Sequence, residues 1–241
     1  MIKVNRTERC DHCTDVCCHK CMTDANSYVF NSLSDKELEY LMSHKREVTF
    51  NPGETIIKQN TTTTHFVCVR NGLAKVVSEG PKDKSLILKL INKHSLLTAG
   101  GVINDDVRQF TITAISKVEC CFVDSERLHN LLINNCKFSY ELLRYNNKWN
   151  IDMLNRLVNL TNKYMPGRIA DTLLYLKNEI YQANPFTVQL SKSDLANMSA
   201  MTKESFIRGF KELEESKIVR HENRTIEILN EEDLTRISKN G

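Results

Sequence analysis

The stretch from residue 47 to residue 123 consists of short β-branched runs that alternate with turn residues. Runs such as THFVCV, LAKVVS and LILKLI are interrupted by turn sequences such as NPGE, RNG and EGPKDK. Asn71-Gly72 is a strong hairpin signal, because both residues tolerate a positive φ. This regular spacing predicts a β-meander that closes into a barrel or jelly roll, with its last strand over residues 111–123.

The pattern becomes helical from about residue 125, and residues 136–164 run without proline or glycine. Apolar residues recur along this stretch at intervals of three, four or seven positions: Leu142, Trp149, Met153, Leu157, Leu160 and Tyr164. So narrow a stripe is typical of the contact between two helices, which favours an intersubunit helix over an ordinary core helix. Pro166-Gly167 then predicts a domain boundary.

Residues 190–219 contain two helix starts that are separated by a tight turn. Ser191 and Asp194 form the pattern of a capping box, and Thr202 begins the second helix. Seven apolar residues would pack the two helices together: Leu195, Met198, Phe206, Ile207, Phe210, Leu213 and Ile218. This spacing predicts a helix-turn-helix. The following sequence IVRHENRTIEIL alternates around a turn, which predicts a β wing.

The second helix of such a motif enters the major groove with its N-terminal residues toward the bases. The outward-facing residues predicted to read bases are Lys203, Glu204, Ser205 and Arg208. Arginine can bind guanine bidentately, and glutamate can accept a hydrogen bond from the cytosine amino group. The alternative is a solvated helix with a Glu204–Arg208 ion pair. Phosphate contacts are predicted from hydroxyls, helix N-terminal amides and lysines at Ser191, Lys192, Thr202 and Lys211.

Five of the nine cysteines lie within CDHCTDVCCHKC, residues 10–21: Cys10, Cys13, Cys17, Cys18 and Cys21. So polar a segment packs poorly, and clustered cysteines in a reducing compartment indicate metal ligands or redox groups rather than disulfides. Its two C-x-x-C pairs could bind structural zinc, and its adjacent cysteines could act as thiol switches. Cys120 and Cys121 face opposite ways on a strand, so only one of them can join a shared site. Cys68 is predicted to be a core residue, and Cys136 a structural one.

The composition excludes several functional classes. No glycine-rich phosphate loop follows a strand, and neither H-E-x-x-H nor G-x-S-x-G occurs, so we do not expect an enzyme. The chain lacks both a run of about 18 apolar residues and the apolar core of a signal peptide, so we expect no membrane span and a cytoplasmic location. Residues 191–241 hold nine Lys or Arg and ten Asp or Glu, so DNA binding there must use a local face.

Two stretches resemble the Crp–Fnr transcription regulators, a family named for the cyclic-AMP receptor protein and the fumarate–nitrate regulator. NPGETIIKQ and HFVCVRNGLAKVVSE, within residues 51–79, are similar to the family's first barrel strands. MTKESFIRGFKELEESKIV, residues 201–219, is similar to its recognition helix, and HENRTIEI to its wing. By position, Lys203, Glu204 and Arg208 match the family's base-reading residues.

The resemblance implies an α+β chain with an N-terminal β-roll sensor, a long dimerisation helix and a C-terminal winged helix-turn-helix. The β-roll would be a double-stranded β-helix of the cyclic-nucleotide-binding type. The implied domain bounds are 1–24 for a cysteine-rich segment, 25–135 for the β-roll, 136–165 for the helix and 166–241 for the DNA-binding domain. The implied partners are a second copy of the chain, a palindromic double-stranded DNA site and RNA polymerase.

Cyclic-nucleotide binders of this family use a Gly-Glu pair for the ribose and an arginine for the phosphate. The matching stretch here is LLTAGGVINDDVRQFTITA, residues 96–114. It contains Arg108 but no glutamate after its glycines, and the carboxylates of Asp105 and Asp106 would repel a phosphate. A cyclic nucleotide is therefore not expected.

Oxygen-sensing members of the family hold a [4Fe–4S] cluster with three N-terminal cysteines and a fourth near the end of the β-roll. The resemblance therefore implies that the cluster is bound by four thiolates from the set Cys10, Cys13, Cys17, Cys18, Cys21 and Cys121. The spacing C-x2-C-x3-CC-x2-C departs from the family, whose gap before the third ligand is longer. The alternatives are structural zinc, thiol switches, or a small effector or haem in the β-roll with His65 and His94 as ligands.

Overall fold

The computed structural model describes residues 29–62, 64–80, 85–93, 95–97 and 107–241. Its strands in the N-terminal half are β1 (Arg46–Phe50), β2 (Thr55–Ile57), β3 (His65–Asn71), β4 (Ala74–Glu79), β5 (Ser85–Ile91), β6 (Leu96–Leu97), β7 (Thr111–Ala114) and β8 (Val118–Asp124). They form two four-stranded sheets with the orders β1-β8-β3-β6 and β2-β7-β4-β5. Each pairing is antiparallel. The two sheets face one another as a β-roll, which confirms the predicted fold class for this half.

The chain changes sheets between β7 and β8. The amides of Ile115 and Ser116 both donate to the Leu73 carbonyl, at 2.8 and 3.1 Å. The Ser116 hydroxyl accepts a hydrogen bond from the Leu73 amide at 2.9 Å. These groups bond to the β3–β4 turn instead of continuing a ladder, so the strand must end there. The prediction of one strand over residues 111–123 was therefore wrong, because β7 and β8 belong to different sheets.

Gly72 allows the β3–β4 turn to approach the β7–β8 connection closely. Its φ is +92°, and a Cβ atom at this position would lie 2.2 Å from the Lys117 carbonyl oxygen. An L side chain would be strained in this conformation and would also collide with the backbone. The hairpin signal at Asn71-Gly72 thus marks the place where the β3–β4 turn packs on the β7–β8 connection.

The helices are α1 (Asp35–Met42), α2 (Ser125–Asn134), α3 (Cys136–Asn162), α4 (Met165–Tyr175), α5 (Lys192–Met198), α6 (Lys203–Glu215) and α7 (Glu231–Asn240), and a π-helical turn over Leu176–Tyr181 extends α4. Among the described residues, no helix combines the length and the apolarity that crossing a bilayer requires. The long helix α3 ends at Asn162, and the next residue, Lys163, has extended backbone angles. Pro166 and Gly167 lie inside the first turn of α4, where a proline needs no amide hydrogen bond. The break in the chain thus precedes the predicted Pro166-Gly167 boundary.

Helix α3 has two apolar faces rather than one stripe. On its inner face, Leu142 is 2% exposed, and the Trp149 ring stacks on Phe110 with 6.2 Å between centroids. Its outer face leaves six large apolar residues exposed: Tyr140, Leu143, Ile151, Leu154, Leu157 and Val158. The predicted stripe was therefore wrong in part, since Leu142 and Trp149 pack on the β-roll and Leu157 does not. Spacings of three and four recur on every face of a helix, so they do not tell one face from the other.

Apolar side chains form three clusters, which we name by position. The interior core lies between the two sheets and includes Val67, Val76, Ile112 and Cys120. The N-terminal core lies on the outer side of sheet β1-β8-β3-β6 and includes Phe30, Leu41, Cys121, Leu128 and Phe138. The DNA-side core joins the outer side of sheet β2-β7-β4-β5, through Val77, Ile87 and Leu90, to the C-terminal domain. The β-roll and the C-terminal domain therefore share one core.

Candidate DNA interface and sensor site

Helices α5 and α6 form the predicted helix-turn-helix. At the start of α5, the Ser191 hydroxyl accepts from the Asp194 amide and the Asp194 carboxylate accepts from the Ser191 amide, both at 3.1 Å. At the start of α6, the Thr202 hydroxyl accepts from the Ser205 amide at 3.2 Å. Ala200, with φ of +49°, reverses the chain between the helices. The caps satisfy amides that have no partner inside the helix, so both helix starts are fixed by local sequence.

Helix α6 buries one face and exposes the other. Phe206, Phe210 and Leu213 are 3%, 8% and 5% exposed and pack in the DNA-side core. Three of the predicted base-reading residues, Lys203, Glu204 and Arg208, are exposed, and Ser205 is half-buried. The predicted phosphate-contacting residues are also exposed: Ser191, Lys192, Thr202 and Lys211. The charged N-terminal half of α6 is therefore exposed and accessible to a DNA groove.

The charged groups of α6 are paired unevenly. Lys211 forms an ion pair with Glu215 at 3.4 Å, one turn further along the helix. In the part of the chain that the structure describes, Glu204 and Arg208 form no ion pair, although they stand four residues apart. The alternative of a solvated Glu204–Arg208 pair is therefore not observed, and both side chains are available for intermolecular contacts.

A glycine in α6 lets the helix pack close to α4. A Cβ atom on Gly209 would lie 2.7 Å from Cδ1 of Ile169. A glycine in a helix interior destabilises it by about 1 kcal/mol relative to alanine, so its presence indicates a close approach. We did not identify Gly209 from the sequence, although an isolated glycine inside a helical pattern was the available signal.

Two hydroxyl groups hold the turn between α5 and α6 from inside. The Ser199 and Thr172 hydroxyls lie 2.9 Å apart, and Ser199 is 0% exposed. Ser199 also donates to the Leu195 carbonyl at 3.0 Å. These contacts join α4 to the turn of the helix-turn-helix. Nothing in the sequence distinguishes this pair from other serines and threonines, because the contact spans 27 residues.

The wing consists of β10 (Val219–Glu222) and β11 (Thr225–Ile228), which pair as an antiparallel hairpin. A short strand that the sequence pattern did not predict, β9 (Phe186–Thr187), adds to β11. The His221 ring meets Phe210 edge-on with 5.7 Å between centroids, which connects the wing to α6. Arg224 is exposed at the tip of the hairpin. The wing therefore stands beside the recognition helix with a cation at its end.

The adjacent cysteines of β8 face different cores, as alternation on a strand requires. Cys120 lies in the interior core, where burial and the neighbouring Cys121 raise its pKa to about 12. Cys121 lies in the N-terminal core with Val29 and Phe30, the first described residues after the cysteine-rich segment. Cys68 is directly opposite Cys121 on β3 and is buried, as predicted.

Most of the other residues predicted to bind a metal, cluster or haem lie outside the part of the chain that the structure describes. Cys10, Cys13, Cys17, Cys18, Cys21 and His94 lie outside the described residues. Within the described ranges, no three His, Cys, Asp or Glu side chains are grouped as a metal site. Cys136 is the exposed first residue of α3, so it is not a packing residue.

Arg108 is turned into the protein. It is 0% exposed, its Nη2 donates to the His65 carbonyl at 2.8 Å, and burial lowers its pKa to about 10. Its backbone bonds to the neighbouring loop, since the Arg108 amide donates to the Thr61 carbonyl at 3.0 Å. Gly100, Gly101, Asp105 and Asp106 lie outside the described residues. In the described part of residues 96–114, Arg108 therefore links this segment to Thr61 and to His65 at the start of β3.

Two family models match consecutive parts of the chain. The model described as the cyclic nucleotide-binding domain matches residues 47–135, and the model described as the Crp-like helix-turn-helix domain matches residues 167–237. This chain belongs to the Crp–Fnr family. Helices α5 and α6 and the wing lie within the second match, so α6 is the second helix of a Crp-like helix-turn-helix domain.

Relatives of known name agree with this assignment. "Probable transcriptional regulator flp" of Lacticaseibacillus casei is 24% identical over 211 residues, which cover 86% of this chain and 93% of the relative. "Transcriptional activator protein FnrA" of Stutzerimonas stutzeri is 22% identical over 189 residues, 77% of each chain. The structure of FixK2 from Bradyrhizobium japonicum shares the fold, with a TM-score of 0.73 and 15% identity, over 80% of this chain and 96% of that one. This Crp–Fnr protein is a DNA-binding transcription regulator and not an enzyme.

Proposed function

We propose that this Crp–Fnr regulator binds a palindromic promoter site as a homodimer and that a cysteine-bound [4Fe–4S] centre controls its binding. The observation that carries the dimer is the outer face of α3. Its six apolar residues are between 49% and 66% exposed along one helix. An apolar stripe of this length is a partner surface, and a second copy of α3 packs on it as a two-helix seam.

Two-fold symmetry then determines the DNA site. A dimer formed through equivalent faces presents the same α6 twice, in opposite directions. Such a pair reads two half-sites about one helical turn apart, so the target is an inverted repeat. Arg208 reads guanine in each half-site, Glu204 accepts from a cytosine amino group, and Lys192 and Lys211 neutralise phosphates. Bound beside a promoter, the dimer contacts RNA polymerase.

Substitutions on α6 test the DNA contacts. Arg208→Ala lowers affinity for the selected site by roughly 1–3 kcal/mol and relaxes the preference at one base pair. Lys211→Ala is the matched control on the same helix, and it weakens all sequences uniformly and reduces the salt slope by about one. Competition gel shifts at several salt concentrations separate these effects. An Arg208→Ala protein with unchanged base discrimination contradicts the assigned role.

The residues around Cys121 fit a thiolate-bound cluster. Its thiol lies on the side of β8 where Val29 and Phe30 pack. Seven residues lie between Cys21 and Val29, and eight Cα-to-Cα steps of an extended chain span up to about 28 Å. Three cysteines from residues 10–21 can therefore reach Cys121. A bound [4Fe–4S] cluster supplies a redox-active centre whose ligands are these thiolates.

The position of Cys121 links the proposed centre to the dimer helix. Phe30, Phe138 and Leu142 lie in the same N-terminal core as Cys121, and the Phe30 and Phe138 rings are 6.3 Å apart. Phe138 and Leu142 belong to α3. Close-packed cores transmit small displacements, so a change in the bonding of the Cys121 thiolate would change how the start of α3 packs on the β-roll.

The adjacent cysteines provide a matched pair for testing the centre. After anaerobic purification, wild type and Cys120→Ala retain iron, acid-labile sulfide and visible absorbance, whereas Cys121→Ala loses most of all three. Both positions are buried, so general destabilisation affects both variants. A colourless wild-type protein with stoichiometric zinc supports the structural-zinc alternative and contradicts the iron–sulfur centre.

A further inference from the structure

Arg156 joins three parts of the molecule. It projects from the inner side of α3, and its Nη2 donates to the Ile87 carbonyl of β5 at 2.9 Å and also to the Met198 carbonyl at the end of α5. Ile87 and Met198 are both 1% exposed, so these carbonyls have little access to water. One guanidinium group therefore links α3, the sheet β2-β7-β4-β5 and the helix-turn-helix.

The Met198 carbonyl belongs to the last turn of α5, where carbonyls lack partners inside the helix and a cation is favourable. Two residues further along, the Ala200 carbonyl accepts from Nη1 of Arg168 on α4 at 3.1 Å. The turn that leads into α6 is thus held by two arginines, one from α3 and one from α4. Its position determines where α6 begins.

The sheet β2-β7-β4-β5 also contacts α5 directly. Lys75 of β4 forms an ion pair with Asp194 at 2.5 Å, and the Asn197 side chain donates to the Ser85 hydroxyl at 3.3 Å. Leu73, Val77, Ile87 and Leu90 complete the contact within the DNA-side core. Helix α5 is therefore held at its N-terminus by Lys75 and at its C-terminus by Arg156, and of these two side chains Arg156 is the one that belongs to α3.

We propose that Arg156 is a positioning residue that sets the angle between α6 and α3 and thereby selects the spacing between the two half-sites. The proposal rests on the proposed binding of a homodimer to a palindrome. Because α3 lies on the two-fold axis, any shift of α6 relative to α3 occurs twice. Successive base pairs are about 3.4 Å apart, so a shift of about 1.7 Å of each α6 along the duplex changes the matching spacing by one base pair.

The experiment compares spacing preferences. A random duplex library selected with the full-length, anaerobically purified protein gives the wild-type site, and inverted repeats are then made with spacers from three base pairs shorter to three longer. For Arg156→Met, which fills a similar volume without donors, we expect the ratio between the best and second-best spacer to fall at least about tenfold. The half-site sequence stays the same.

Two further variants keep the test decisive. Arg156→Lys retains the charge and a donor, and we expect a spacer preference between those of wild type and Arg156→Met. If Arg156→Met does not fold, Arg156→Lys provides the comparison with wild type. Lys177→Met is the matched control, because it removes an ion pair of 2.5 Å with Glu231 inside the DNA-binding domain and leaves α3 untouched. This control keeps the wild-type spacing.

Two outcomes overturn the inference in different ways. If Arg156→Met and Arg156→Lys lose affinity equally for every spacer, the arginine is only a structural contact and the proposed function stands. If wild type selects no inverted repeat, the proposed function itself fails and the role of Arg156 in spacing fails with it.

Discussion

Side chains of different chemical character cover the two outer faces of the β-roll. The sheet β1-β8-β3-β6 is covered by α1, α2 and the start of α3, and the sulfur atoms of Cys68 and Cys121 lie in that apolar core. The sheet β2-β7-β4-β5 is covered by the DNA-binding domain, where ions reinforce the packing through Lys75–Asp194 and Arg156. The comparison separates an apolar face that contains two buried cysteines from a face where charged side chains contact the DNA-binding domain.

Helix α3 is the element that touches both faces. Phe138, near its start, packs in the N-terminal core, and Arg156, near its end, bonds across the DNA-side face. Between them, Trp149 stacks on Phe110 of the interior core. Helix α3 therefore connects the core that contains Cys121 with the end of α5.

The largest expected effect comes from the outer side of α3. Leu154→Glu places two carboxylates against each other across the two-fold axis, so we expect loss of the dimer and a loss of at least about 4 kcal/mol in affinity for the full site. Light scattering after gel filtration and gel shifts measure both quantities. Lys148→Glu introduces the same residue at another exposed position of α3 and stays dimeric. A dimeric Leu154→Glu protein contradicts the assignment of the seam.

A smaller effect is expected where the two sheets cross. Gly72→Ala combines a positive φ with a Cβ that would be 2.2 Å from the Lys117 carbonyl, so we expect a loss of about 3 kcal/mol in the free energy of unfolding. Gly53→Ala has a similar φ of +88° but no atom within 4 Å, and we expect a loss of only about 1 kcal/mol. Urea denaturation measures both. Equal losses would show that the close approach of the sheets contributes nothing.

The DNA-binding face was predictable because its signals are local. Ser191 and Asp194 are three residues apart, as are Thr202 and Ser205, so the caps of α5 and α6 are visible as sequence pairs. The exposed charged residues of α6 follow from the position of its first residue. By contrast, Arg156 lies 42 residues before Met198, whose carbonyl accepts its hydrogen bond. No local sequence pattern reveals that contact.

The face that contains Cys121 was only partly predictable because its contacts join residues that are distant in the sequence. Strand alternation predicted that Cys120 and Cys121 face opposite sides, but it could not show which of the two shares a core with Val29 and Phe30. Cys68 pairs with Cys121 across 53 positions of sequence, and that register depends on the whole sheet. The same distance explains the error over residues 111–123, where the bonds to Leu73 end one strand and begin another.

The smallest expected effect concerns the ion pair between the DNA-side face and α5. Lys75 and Asp194 side chains are 24% and 15% exposed, so their attraction is partly screened. We expect Lys75→Met to lower the free energy of unfolding by about 1 kcal/mol at neutral pH. Urea denaturation at a series of pH values measures this deficit, and Lys211→Met, which removes a far more exposed pair, is the control with almost no deficit.

The sign of the pH dependence follows from Asp194. Burial alone would raise its pKa, but hydrogen bonds from Lys75 and Ser191 outweigh burial and hold the pKa below its ordinary value of 3.8. The ion pair therefore contributes its full stabilisation above about pH 4, and the contribution is lost as the pH falls through the lower pKa of the folded protein. The deficit of Lys75→Met should shrink over this acidic range and stay constant above it. A deficit that does not change with pH would mean that Lys75 stabilises the face by packing its alkyl chain, and the two faces of the β-roll would then differ less in chemistry than the ion pair indicates.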